Sequence, residues 1–138
     1  MLNLKQALGL PDLNKAFDTY SLDFNGTDES VTIDALVGIL NPLEGSVSVW
    51  CKLDTTSSNG TLFRTRVDGQ NYIELKYHAS TNQMRFEFKA GGTLKQAKFN
   101  DAIENDGLWH HVVGTWSTAA DELKIYLDGT LKATTTGL

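Results

Sequence analysis

Trp109-His110-His111-Val112-Val113-Gly114-Thr115-Trp116, followed by Glu122-Leu123-Lys124-Ile125-Tyr126-Leu127-Asp128-Gly129, is the stretch that decides the fold. Both phrases are short alternating runs, the pattern of half-buried strands. Asp128-Gly129 is the strongest hairpin signal in the chain, because both residues tolerate the positive φ that a tight two-residue turn demands. The return strand is read at residues 130–135.

Outward from this hairpin the same pattern continues back to residue 20. Strands are expected at residues 20–24, 31–33, 46–53, 61–67, 72–78, 83–90, 94–99, 108–117, 123–127 and 130–135, about ten in all. Turn residues separate them, among them Asn25-Gly26, Asp68-Gly69 and Gly91-Gly92. Residues 34–40 read as one helical turn before Asn41-Pro42. No strand–helix alternation and no internal repeat occurs, which argues against a parallel α/β sheet. The fold class expected is an all-β, antiparallel two-sheet sandwich.

Residues 1–18 differ from everything after them. Leu4, Ala7 and Leu8 fall at helical spacing before Gly9, and Leu13, Ala16 and Phe17 repeat it after Pro11-Asp12. Helices this short are marginal in water, so their apolar faces must dock on the domain itself or on a partner. The division read is a short helical arm at 1–18, with Leu4, Leu8, Leu13 and Phe17 as its contact positions, and a sandwich at 19–138.

A chain of 138 residues can bury roughly two thirds of its unfolded surface, enough for one core without staples. Its net charge of -5 argues against nucleic acid as the main partner, and no apolar run is long enough to cross a membrane. Cys51 is the single cysteine, so no intrachain disulfide is available, and it lies in an apolar strand run as a small core residue. The start lacks the apolar segment of a secretory signal, so the sequons at Asn25 and Asn59 read as chance. If Met1 is not the natural start, an extracellular origin is open instead.

The phrases as a set resemble laminin-G-like, or concanavalin A-like lectin/glucanase, domains. Ser21-Leu22-Asp23-Phe24-Asn25-Gly26 with Val31-Thr32-Ile33 is similar to the opening of such domains. Ser46-Val47-Ser48-Val49-Trp50-Cys51-Lys52 is similar to a strand within them, and the two opening phrases at 109–116 and 122–129 are the most specific. The resemblance covers residues 20–138 and implies a jelly roll. It also implies two further strands beyond the Asp-Gly hairpin, so an incompletely covered edge is expected, to be filled by the arm, by another subunit or by a different closure. Some relatives bind calcium. Asp23, Asp28, Asp54, Asp68 and Asp121 stand near turns here, and turn formation accounts for them, so calcium stays an open cofactor and no metal ligands are assigned.

Because the implied fold includes glycoside hydrolases, catalysis needs a direct test. A retaining glycosidase needs two carboxyl groups about 5 Å apart, which on one strand means acids at alternate positions. No strand supplies them, and Glu74 and Glu87 read as cross-strand charge partners. His110 and His111 are adjacent, so a strand points them to opposite faces and they cannot share a metal. No catalytic residues are assigned.

Alternation puts Phe63, Val67, Ile73, Leu75, Tyr77, Met84, Phe86 and Phe88 on a core face. The opposite face then carries Arg64, Arg66, Tyr72, Glu74, Lys76 and Arg85, with His78, Glu87 and Lys89. These first six are the candidate ligand-binding residues, for a glycan or an acidic protein surface. Trp50, Trp109 and Trp116 are expected in the packed layers. The functional expectation is a non-catalytic structural or adhesion module of a larger assembly, such as a bacteriophage virion head-decoration or tail component, and a homo-oligomer. The alternative is a carbohydrate-binding module.

Overall fold

The computed structural model describes residues 21–25, 27–33, 41–53, 58–101, 103 and 106–138. It contains two compact units, Met1–Val31 and Thr32–Leu138. Leu4, Leu8, Leu13 and Phe17, and the helical turn read at 34–40, lie outside the described residues.

In the first unit the described residues surround an Asn25 turn. The Asn25 Oδ1 accepts the Thr27 N–H at 2.8 Å, and the Glu29 carboxylate accepts the Asn25 N–H at 2.7 Å. Side chains thus satisfy backbone donors that a ladder would otherwise use. Among the described residues, 21–24 and 31–33 lie in no strand, which corrects the two strands expected there.

The second unit holds eight strands among its described residues: β1 Glu44–Cys51, β2 Gly60–Asp68, β3 Asn71–His78, β4 Gln83–Ala90, β5 Thr93–Phe99, β6 His110–Ser117, β7 Glu122–Leu127 and β8 Thr130–Thr135. They form two antiparallel four-stranded sheets in the orders β1-β6-β7-β8 and β2-β3-β4-β5. The chain starts in the first sheet, builds the second as a meander of consecutive hairpins, and returns to finish the first.

The core lies between the sheets. Val47, Cys51, Val112, Trp116, Leu123, Ile125 and Leu127 face Ile73, Leu75, Tyr77, Met84, Phe86, Phe88, Ala97 and Phe99, all buried. The Phe86 and Trp116 rings meet across the layers at 6.2 Å. Gly114 makes that approach possible, since a Cβ there would stand 2.5 Å from the Phe86 ring. At the β7–β8 turn, Asp128 and Gly129 have φ of +48° and +78°, the mirror-image turn that matches strand twist.

Three expected core positions are corrected. Val67 is 75% exposed, because the β2–β3 register shifts between Arg66 and Asp68 and releases it from the alternation. Trp50 is 63% exposed and Trp109 49%, while Trp116 is buried and donates from Nε1 to the Asn41 carbonyl at 3.2 Å. With Val47 and Cys51 facing the core, period two leaves Trp50 no other direction than outward.

Candidate binding faces

The outer face of the second sheet gathers the six residues predicted as a ligand site. Ladder pairing sets Arg64 opposite Glu74, Glu74 opposite Glu87, and Glu87 opposite Gln96. Beside this row, Arg66 pairs with Tyr72 and Tyr72 with Lys89, and on its other side Lys76 pairs with Arg85 and Arg85 with Lys98.

Like charges directly opposite would repel, yet Glu74 and Glu87 are both buried. Lys76 resolves the conflict. Its Nζ stands 3.2 Å from Glu74 Oε2 and 2.9 Å from Glu87 Oε1. Glu87 also accepts from the Gln96 amide at 2.7 Å and from the Tyr72 hydroxyl at 3.2 Å, and Glu74 accepts from Thr61 at 3.0 Å. Burial by itself would lower the Lys76 pKa, but the hydrogen bonds and charges of both carboxylates outweigh it and hold the group above the ordinary lysine range. Burial, then the Glu87 charge and hydrogen bond, push the Tyr72 phenol upward.

The expectation of cross-strand charge partners is met in a form that testing strand by strand misses. The two acids are partners across one hairpin, and a shared lysine is what joins them. Counting back from the β3–β4 turn, where His78 faces Gln83, puts Glu74 opposite Glu87, so the signal was present in the turn position. As arranged, the pair offers no cleft for a substrate: an ammonium fills the space between the carboxylates and their oxygens are committed internally.

Once the two acids are committed to Lys76, the charged side chains left on this face, among neutral neighbours such as Leu94 and Gln96, are cations. Arg66, Arg85, Lys89 and Lys98 join Arg64, whose guanidinium is 3.9 Å from Glu74 and 40% exposed. Arg64 lies over the Tyr72 ring at 5.3 Å and the Lys89 ammonium at 5.7 Å. With cations on its ring and its hydroxyl on Glu87, Tyr72 acts as a support for the cations. Arg85 is steadied by Gln83 at 3.0 Å and Thr81 at 2.8 Å.

A second cluster sits at one end of the first sheet. His110 is held between two carboxylates, its Nδ1 2.9 Å from Asp128 Oδ2 and its Nε2 2.8 Å from Asp106 Oδ2. Only the imidazolium has two N–H groups to donate. Hydrogen bonding to Asp128, opposed by burial and aided by Asp106, raises the His110 pKa. Asp128 is held low, first by the His111 N–H and then by His110. Cys51, the ladder partner of His110, is pushed up to about 11 by burial and then by the Asp128 charge, so it is an inert core thiol. Among the described residues no group of three or more His, Cys, Asp or Glu is arranged to hold a metal ion.

The first sheet's outer face carries what sequence reasoning put in the core. Trp50 stacks on His111, its ladder partner, with centroids 4.9 Å apart and planes 19° from parallel. Ser48 Oγ lies 2.6 Å from His111 Nε2.

The two layers, their register and their tight turns match a known domain type. Residues 25–138 match the family model of the concanavalin A-like lectin/glucanases superfamily. The chain belongs to this family. Among solved structures it is similar to domains LG4-5 of the mouse laminin alpha1 chain, with a TM-score of 0.53 and 18% identity over 70% of this chain and 24% of that one, a likeness of fold. Human neuronal pentraxin-1 is 34% identical over 85 residues, covering 62% of this chain and 18% of the relative. The Rattus norvegicus sushi, von Willebrand factor type A, EGF and pentraxin domain-containing protein 1 is 44% identical over 34 residues, 25% of this chain and 1% of the relative. The chain thus spans a small part of each relative's length.

Proposed function

We propose that this laminin-G-like domain is a non-catalytic structural or adhesion module that holds an acidic protein surface against the outer face of β2–β5, as a component of a larger assembly such as a virion. The observation that carries the reading is the sorting of charge. The chain as a whole is acidic at -5, yet this face presents Arg64, Arg66, Arg85, Lys89 and Lys98 while its two carboxylates are buried on Lys76. A cationic sheet on an acidic protein steers an acidic partner to one side.

The saturation of Glu74 and Glu87 supports the non-catalytic half of the reading. General acid catalysis needs a proton donor within reach of the leaving group, and these oxygens are occupied from within the sheet. Calorimetric titration of the full chain with poly-L-glutamate is the test. Binding that weakens with salt and is lost in Arg64→Glu/Arg66→Glu is expected. Binding unaffected by that reversal, or hydrolysis of a polysaccharide abolished by Glu87→Gln, would refute the proposal.

A further inference from the structure

The inner side of the second sheet ends in a charge. Along β5, alternation points Thr93, Lys95, Ala97 and Phe99 between the sheets, and Ala97 and Phe99 are buried in the core there. Period two therefore asks for an apolar residue at position 95, yet a half-buried lysine stands there, opposite Phe88 in the ladder. Beside it Thr93 faces Ala90 across the Gly91-Gly92 turn. Lys76, Lys124 and Lys132 each sit on a carboxylate. Among the described residues Lys95 has no such partner.

Lys95 borders a groove of about 300 Å³ whose other lining is Phe88, Ala90, Thr93, Gly137 and Leu138. One wall is pinned from below: Asp121 Oδ1 accepts the N–H groups of Gly137 and Leu138, both at 2.7 Å. Gly137 has a φ of +87°, and a Cβ there would stand 2.6 Å from Lys95 Nζ, so glycine is what leaves the ammonium room beside that wall. Leu138 packs on the core. The groove thus joins an apolar surface to one cation and one hydroxyl, the usual make-up of a small-molecule site. An unpaired ammonium gains most from an anion, through a charge-assisted hydrogen bond. One ammonium and one hydroxyl suit a carboxylate, whereas a phosphate brings more charge and more acceptors than they satisfy. At the ~30 Å³ that a water occupies, the space holds roughly ten heavy atoms.

We infer that the groove between the β4–β5 hairpin and Gly137-Leu138 binds a small amphiphilic monocarboxylate, its carboxylate on Lys95 and Thr93 and its short acyl chain along Phe88, Ala90 and Leu138. The site lies on the inner side of the sheet whose outer face carries Arg64 and Arg66, so it stands or falls independently of the acidic-partner reading. Amide chemical-shift mapping of the full chain, titrated with sodium octanoate and, separately, with octan-1-ol as the uncharged probe, tests it. Octanoate is expected to give saturable shifts centred on Phe88, Thr93, Lys95 and Gly137, and octan-1-ol to bind there more weakly by roughly tenfold or more. Lys95→Met is expected to abolish that preference, Lys95→Arg to keep it, and Arg64→Glu/Arg66→Glu to leave it intact. The comparison of the two probes on the unaltered chain depends on no variant folding. No saturable shift at the groove, equal affinity for the two probes, or a preference that survives Lys95→Met would overturn the assignment. Octanoate shifts confined to Arg64, Arg66 and their neighbours would assign the anion to the outer face and overturn it equally.

Discussion

Gly114 shows how much a single hydrogen decides. A methyl group at this position would meet the Phe86 ring at 2.5 Å inside a packed core, and both sheets would have to separate to admit it. Gly114→Ala is expected to lower stability by about 1–3 kcal/mol, measured as a reduced urea midpoint at unchanged slope. Lys76 matters for a different reason: it keeps two facing carboxylates compatible. Lys76→Met should cost about 2–4 kcal/mol because it leaves two facing buried carboxylates without the ammonium between them, Glu87 with no cation and Glu74 with Arg64 alone at 3.9 Å. The same substitution in a Glu87→Gln background should cost less, and equal losses in both backgrounds would contradict the bridging role. At this scale the inward residues were legible, since Leu75, Phe86, Leu123 and Ile125 follow strict alternation. Trp50 and Trp109 were not, because the expectation that tryptophan prefers burial was set above the period-two pattern that already directed Trp50 outward.

At the level of elements, the hairpins were readable and the ladders only partly so. The segments 83–90 and 130–135 coincide with β4 and β8, and the turns at Gly91-Gly92 and Asp128-Gly129 lie where their φ-tolerant residues put them. Local turn chemistry is written in adjacent residues. The bulge that exposes Val67 depends on β3 as much as on β2, and no local pattern in β2 announces it. The same holds for the clasp in which His110 joins the loop before β6 to the β7–β8 turn, since Asp106 and Asp128 lie on separate elements. Its pH dependence follows from the shifts. The His110 pKa is raised above the unfolded value of about 6.5, so its contribution to stability is complete below that value and is lost as pH rises through the folded pKa. Asp106 and Asp128 are lowered, so theirs is present above the unfolded carboxylate range and fades as pH falls through their folded values. A proton NMR titration should find the His110 midpoint above about 6.5, moving down in Asp128→Asn. Asparagine still accepts the His111 N–H, so the turn survives that substitution. A midpoint at or below the ordinary value would show that the clasp does not form.

At the scale of the second unit, the sandwich could be anticipated from the alternating runs and their turns, whereas the distribution of charged and aromatic side chains over its faces could not. That distribution depends on which rows of side chains meet. The same β3–β4 register that buries Glu74 and Glu87 on Lys76 leaves the arginines as the accessible charges of one sheet, while β1–β6 pairing erects Trp50 on the other. The central proposal built on this arrangement is that the cationic outer face of β2–β5 holds an acidic partner. The most direct measurement is amide chemical-shift mapping of the full chain during titration with poly-L-glutamate at low salt. Perturbations centred on Arg64, Arg66, Arg85, Lys89 and Lys98, reversed by added salt, are predicted. Shifts centred on β1 and β6, or a spectrum that does not change, would contradict the account.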